Sequence, residues 1–127
     1  MKVKDVMKPG HVIAVQASDS WDLARQIMSW SGIRHLPVMR GPAIVGVVSE
    51  RDLLRESADP ALPVEALMSS PARTATPETN LDEAEILMAA EKLGCLPVLE
   101  DGALVAILTT TDLLDFHGRG LTSPAGK

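Results

Sequence analysis

The stretch "HLPVMRGPAIVGVVSERDLL" (residues 35–54) returns as "CLPVLEDGALVAILTTTDLL" (residues 95–114) at an offset of 60 residues. Leu36 aligns with Leu96, Pro37 with Pro97, Val38 with Val98, Ser49 with Thr109, Asp52 with Asp112, and Leu53-Leu54 with Leu113-Leu114. Upstream, "VKDVM" from Val3 echoes "VEALM" from Val64 at an offset of 61. Self-similarity at a fixed period marks a repeat architecture. Two half-domains account for nearly the whole chain. They read as repeat 1 over residues 1–56, a Pro-containing linker "SADPALP" over 57–63, repeat 2 over 64–116, and a polar, Gly-containing tail over 117–127 with the composition of a flexible segment.

Each half follows one coarse pattern. A short extended piece (residues 12–15 and 73–76) precedes a helix (residues 20–31 and 80–92). In the first helix Ala24, Ile27, Met28 and Ser31 fall at i, i+3, i+4 and i+7, a face that can bury. Gly32 suits its end. In the second, Asn80 and Glu83 have the spacing of a cap pair. Two apolar strands around a turn follow: "LPVM", "RGPA", "IVGVV" and "LPVL", "EDGA", "LVAIL". Their unbroken apolar runs predict strands covered on both faces. A final helix begins after Ser49 and Thr109. The fold class is therefore α+β: two β-α-β-β-α repeats, packed with pseudo-twofold symmetry so that each covers the sheet the other cannot bury alone.

Bulk composition narrows the function. The 127 residues are 46% hydrophobic, but the aromatics are only Trp21, Trp30 and Phe116, so the core is aliphatic. A net charge of −5 opposes nucleic acid and anionic membranes. One cysteine, Cys95, excludes an intrachain disulfide and points to a cytoplasmic protein. The first residues lack a signal-peptide apolar run, and no stretch reaches the length of a membrane span.

The candidate chemistry lies in "GVVSERD" (residues 46–52) and its echo "AILTTTD" (residues 106–112). A hydroxyl at a helix N-terminus with a carboxylate three residues later is the layout of a capping box. The same layout offers an anion site at the helix start and a carboxylate able to accept two hydrogen bonds from a ribose diol. Both readings stand on the spacing alone. Gly46, inside a Val/Ile strand, calls for a reason: close approach of a ligand or of another backbone, or tight packing or a bulge.

With these motifs in order, the chain resembles a tandem pair of cystathionine-β-synthase (CBS) domains, a Bateman module, over about residues 1–116, and its first half is similar to acetoin-utilisation-type CBS proteins. The resemblance implies two inter-repeat clefts that bind adenosine compounds: AMP, ADP or ATP, with NAD or S-adenosylmethionine in some members. It implies that Asp holds the ribose hydroxyls and Ser or Thr helps hold phosphate. Carried over, one cleft has Ser49 and Asp52, with Gly46 completing the motif, facing Thr74, Gly94, Cys95 and Leu96. The other has Thr109 and Asp112 facing Ile13, Ala14, Ile33, Arg34 and His35, with Ala106 where Gly is expected. Arg34 and His35 are either phosphate contacts or a solvated and a packed residue. The resemblance further implies a homodimer, a regulated partner protein not encoded here, no catalytic group and no required cofactor, the nucleotide being a regulatory ligand. The alternative is a ligand-free dimerisation module in which both hydroxyl–carboxylate pairs are caps alone.

Other signals read as structure. Val48 directly precedes Ser49, so there is no nucleophile elbow, and one Cys cannot build a thiolate metal site. Met7 and Met68 occupy equivalent positions, as do Met28 and Met88, which suits core filling. Trp21 aligns with Leu81 and is read as packing; Trp30 aligns with Ala90 and, if exposed, marks a subunit contact. Cys95 is read as buried and inert, Arg51 as a solvated helix charge.

Overall fold

The computed structural model describes residues 1–8, 12–55 and 59–121. The chain forms two compact units, one from Ile13–Arg73 and one from Met1–Val12 with Thr74–Lys127. The first unit contains β1 (Val15–Gln16), α1 (Trp21–Ser31), β2 (His35–Arg40), β3 (Ala43–Ser49) and α2 (Glu50–Arg55). The second contains α3 (Leu81–Glu91), β4 (Cys95–Glu100), β5 (Ala103–Thr109) and α4 (Thr110–Leu121). Short 3-10 turns at Val3–Asp5 and Val64–Ala66 precede them. The α+β, two-repeat class expected from the sequence is what forms.

Local chemistry explains the elements. Ser20 caps α1, its hydroxyl accepting from the Leu23 N–H at 3.1 Å, and Gly32 closes it at φ 70° with its N–H on the Met28 carbonyl. Ala24 and Met28 bury and Ile27 packs beside them, whereas Ser31 is exposed, so the predicted face is one turn shorter. Asn80 sits at the N-cap of α3 but its side chain makes no capping bond; its Oδ1 accepts from Lys2 Nζ at 3.3 Å instead. A long-range partner has displaced the expected local one.

The hairpins are near copies. β2–β3 and β4–β5 are antiparallel, and each register slips once, between Val38 and Met39 and between Val98 and Leu99. Val45 and Val105 are the extra, bulged residues. The second turn puts Asp101 at φ 53° and Gly102 at φ 81°, the geometry of a two-residue hairpin loop. β1 joins β2 in parallel. Its counterpart shrinks to one bridge, Ala75 with Val98, where the Ala75 N–H donates to the Pro97 carbonyl at 3.0 Å and the Leu99 N–H to the Ala75 carbonyl at 2.8 Å.

Each leading turn packs on the body of the other repeat. In the first unit the N–H groups of Val64, Glu65 and Trp21 donate to the carbonyls of Asp19, Ala17 and Leu62 at 2.8, 3.1 and 2.6 Å. In the second, Val3, Lys4 and Leu81 donate to Thr79, Pro77 and Met1 at 2.9, 3.0 and 2.9 Å. These bonds correspond one to one across the repeats. Val3 and Val64 are both 0% exposed, and burying each is worth about 1.5–3 kcal/mol. Hence the compact units follow a different division from the contiguous sequence repeats: the turn that opens a repeat finds its apolar pocket on the other one.

The same crossing explains Gly46. The Val47 N–H and carbonyl pair with Ser69 at 3.1 and 2.9 Å, so residues 68–69 run along the outer edge of β3. With both groups of Val47 used there, Pro37 opposite it removes no donor from the β2–β3 ladder. A Cβ on Gly46 would lie 2.6 Å from Met68 Sδ and 2.7 Å from the Ser69 carbonyl oxygen. Ala106 has the same bulge beside it and carries its methyl, so the approaching backbone, not the bulge, selects glycine.

The cores are aliphatic. Val15, Leu36, Val38, Val48, Leu53 and Val64 fill one, with Met68 packed against it; Val3, Leu81, Met88, Leu96, Val98 and Leu108 fill the other, with Met7 and Phe116 against it. α4 continues to Leu121, past residue 117 where composition suggests a tail, because Phe116 docks on the core and His117 Nε2 meets Glu85 Oε2 of α3 at 2.5 Å. Residues 122–127 of that tail and 56–58 around the linker lie outside the described residues. No helix among the described residues is long and apolar enough to cross a membrane.

Two outcomes follow from this packing. Gly46→Ala is expected to destabilise the protein by about 1–3 kcal/mol, because one clash partner is main chain; Ala106→Gly loses about 1 kcal/mol through strand entropy and a lost methyl. Urea unfolding of both variants measures this, and an unchanged Gly46→Ala midpoint contradicts the crossing. Cys95, 5% exposed with its thiol pushed up to about 12 by burial, should release no colour from a disulfide reagent at pH 8 until guanidinium unfolds the chain, when one equivalent appears.

Candidate functional site

The two strand-to-helix junctions are built alike. At the end of β3 the Ser49 N–H donates to Asp52 Oδ2 at 2.9 Å, and the Asp52 N–H donates to Ser49 Oγ at 3.1 Å. At the end of β5 the Thr109 N–H donates to Asp112 Oδ2 at 2.9 Å, and the Asp112 N–H donates to Thr109 Oγ1 at 3.2 Å. Both are complete capping boxes, each worth about 0.5–2 kcal/mol. The capping reading of the sequence is thus realised in both repeats, and it does not by itself exclude a ligand. Asp52 and Asp112 are the buried charged residues of the described chain, 8% and 6% exposed.

What surrounds these carboxylates comes first from their own repeat. His35 pairs with Ser49 across the hairpin, and the Glu50 N–H donates to the Arg34 carbonyl at 2.9 Å. Cys95 pairs with Thr109, and the Thr110 N–H donates to the Gly94 carbonyl at 3.0 Å. Ile13, Ala14, Ile33, Arg34, His35, Gly46, Ser49 and Asp52 therefore belong to the first unit, and Thr74, Gly94, Cys95, Leu96, Thr109 and Asp112 to the second. Gly46 faces the Met68 side chain and the Ser69 carbonyl, which accounts for it without a ligand. Leu96 is fully buried in the second core, so its side chain is a packing element.

The charges differ between the two junctions. Arg34 is largely exposed, with Nε 3.9 Å from Glu50 Oε1; its guanidinium lies at the surface. His35 is half-buried, and burial, helped by the adjacent Arg34, lowers its pKa below the usual histidine value against the opposing carboxylates of Asp52 and Glu50. It is neutral at pH 7. At the other junction Lys8 Nζ lies 3.2 Å from Asp112 Oδ1 and 3.6 Å from Asp115 Oδ2. The ammonium is held charged, chiefly by hydrogen bonding to Asp112 and by its charge, with Asp115 adding to both. Sequence reasoning passed over Lys8. The only signal was the repeat alignment, which sets it opposite Ser69; the contact itself spans more than a hundred residues. Trp21 is structural, its indole N–H donating to the Leu53 carbonyl at 2.8 Å, whereas Trp30 is 77% exposed.

Comparison with known proteins fits this duplicated architecture. The family model described as "CBS domain" matches twice, at residues 3–59 and 64–118. A solved structure of an acetoin utilization protein (AcuB) from Vibrio cholerae shares 30% identity and a TM-score of 0.84, covering 95% of this chain and 94% of that one. CBSX2, solved in complex with AMP, shares 29% identity and a TM-score of 0.79, with coverage of 93% and 96%. Among curated proteins, the inosine-5'-monophosphate dehydrogenase of Korarchaeum cryptofilum is 37% identical over 103 residues, 80% of this chain. The chain spans only 21% of that enzyme's length. Both repeats, their junction motifs and the fold place the chain in the CBS-domain family, as a tandem pair.

Proposed function

We propose that the pair binds an adenosine-containing ligand without transforming it, with AMP, ADP and ATP foremost and NAD and S-adenosylmethionine in the wider class. The observation that carries this reading is the twofold placement of a buried, reciprocally capped aspartate one turn into a helix, in a family whose member CBSX2 is solved with AMP. In each capping box Oδ2 is taken by the main chain, which fixes the carboxylate's direction, and the carboxylates of Asp52 and Asp112 are the proposed acceptors for ribose hydroxyls. Ser49 and Thr109 stand at helix starts where main-chain N–H groups favour phosphate. Ile13, Ala14, Ile33, Thr74, Gly94 and Cys95 are the proposed adenine-side residues. Arg34 is a proposed phosphate cation; His35, whose pKa burial lowers, adds shape rather than charge.

The bound ligand acts by favouring one conformational or assembly state over another, and the regulated protein is a separate partner. The assembly we propose is a cytoplasmic homodimer. Leu54 and Leu114, equivalent residues of α2 and α4, are 69% and 71% exposed, and Trp30 and Ile86 are similarly bare. Apolar side chains repeated on the surface of both repeats suit a contact between copies. These bare side chains also favour a second reading, a dimerisation module that uses no ligand and in which the capping boxes exhaust the role of both motifs.

Calorimetric titration of ligand-free protein with AMP, ADP, ATP, NAD and S-adenosylmethionine separates the two. Binding is expected for at least one, weakened tenfold or more by Asp52→Asn or Asp112→Asn while the fold is kept, since Asn still caps. Failure of all five to bind sinks the ligand reading. Sedimentation equilibrium should give a dimer, with the Leu54→Glu/Leu114→Glu double variant shifted to monomer.

A further inference from the structure

The segments that cross the two units differ at their last residue, Lys8 in one and Ser69 in the other. Segment 3–8 packs on the second unit and ends at Lys8, whose ammonium reaches Asp112 Oδ1, the oxygen the capping box leaves over. The equivalent segment of the first unit, 64–69, ends at Ser69, which is spent on main-chain pairing with Val47 and carries no charge. Lys8 Nζ is itself solvent-exposed, its side chain 65% accessible, while the Asp112 side chain is 7% accessible. An exposed lysine thus stands beside a buried acceptor, with Asp115 as its second carboxylate.

We propose that Lys8 sets the ligand class at the Asp112 end, favouring nucleoside phosphates over uncharged nucleosides. This rests on the adenosine-binding reading above. A ribose diol alone must compete with the ammonium for Oδ1 and gains nothing for displacing it. A ligand that also carries phosphate gives the displaced ammonium a new anion, so the ion pair is exchanged rather than lost. The charge-assisted bond of lysine to phosphate is among the stronger ones available at a protein surface. Asp115, 3.6 Å from Lys8 Nζ, keeps the ammonium near the junction when Asp112 is engaged by sugar.

The test compares AMP with adenosine, which differ only in the phosphate, on the full chain. Amide cross-peaks of Thr109, Thr110 and Asp112 report this end alone, so the first unit need not be silenced. In the wild type AMP should bind there more tightly than adenosine. In Lys8→Gln the AMP-to-adenosine preference should fall about tenfold, through weaker AMP and stronger adenosine binding, and Lys8→Arg should keep it. An unchanged preference in Lys8→Gln, with both ligands still shifting these peaks, overturns the role of Lys8 and leaves the binding reading intact. No shift at these amides with either ligand in any of the three proteins overturns this inference together with the ligand reading for this end. Lys8 is an exposed surface residue, so the variants should fold; unchanged peaks in the first unit's core confirm it.

Discussion

The reciprocal hydrogen bonding between a strand-ending hydroxyl residue and the aspartate three residues later holds both halves of this molecule in shape. It solves two problems at once. A helix that starts directly from a strand leaves its first N–H groups without partners, and a carboxylate brought under the surface needs donors. Each difficulty is the answer to the other. Because the bond to the backbone uses one carboxylate oxygen, the second oxygen is oriented by the fold rather than by its own rotamer freedom. Preorganisation of that kind lowers the ordering cost of any later contact. A cap and a ligand-holding group are therefore compatible uses of one side chain.

Much of this was legible in the chain. The repeat, the hairpins, the helix opened by Ser20 and closed by Gly32, and the two capping boxes all rest on contacts within a few residues, where pattern and spacing carry the physics. What escaped has a common cause in partners far away along the sequence. Asn80 has the right residue type for a cap yet bonds Lys2. Gly46 invited several explanations, and only the arrival of Met68 and Ser69 selects among them. Ser31 lies on the predicted face but beyond the reach of the core. Lys8 sits in an unremarkable loop sequence until the segment that bears it is placed on the second unit. The membership of Leu96 in the candidate site and its complete burial likewise separate only once the sheet is seen.

The asymmetry between the repeats is concentrated in a few substitutions on a common frame. The burial of residues 41–50 matches that of 101–110 position for position, so the turn and second strand of each hairpin are embedded alike. Against it, Arg34 and His35 align with Gly94 and Cys95, Gly46 with Ala106, and Ser69 with Lys8. Each exchange changes charge or room at a junction without disturbing the hairpin beneath it. A duplicated frame with divergent rims is a means of holding two different chemistries in 127 residues.

The exchange of leading turns also dictates an order of events during synthesis. The contacts of Val64 with Asp19 close within the first unit, so that unit is complete once residue 73 has left the ribosome. The pocket for Val3 is formed by residues that come later, around Thr79 and beyond, and the first eight residues must wait for it. Residues 1–8 are thus made before their pocket and docked after it, and the side chain of Val3 and the charge of Lys8 are both available to the nascent chain's surroundings throughout that interval.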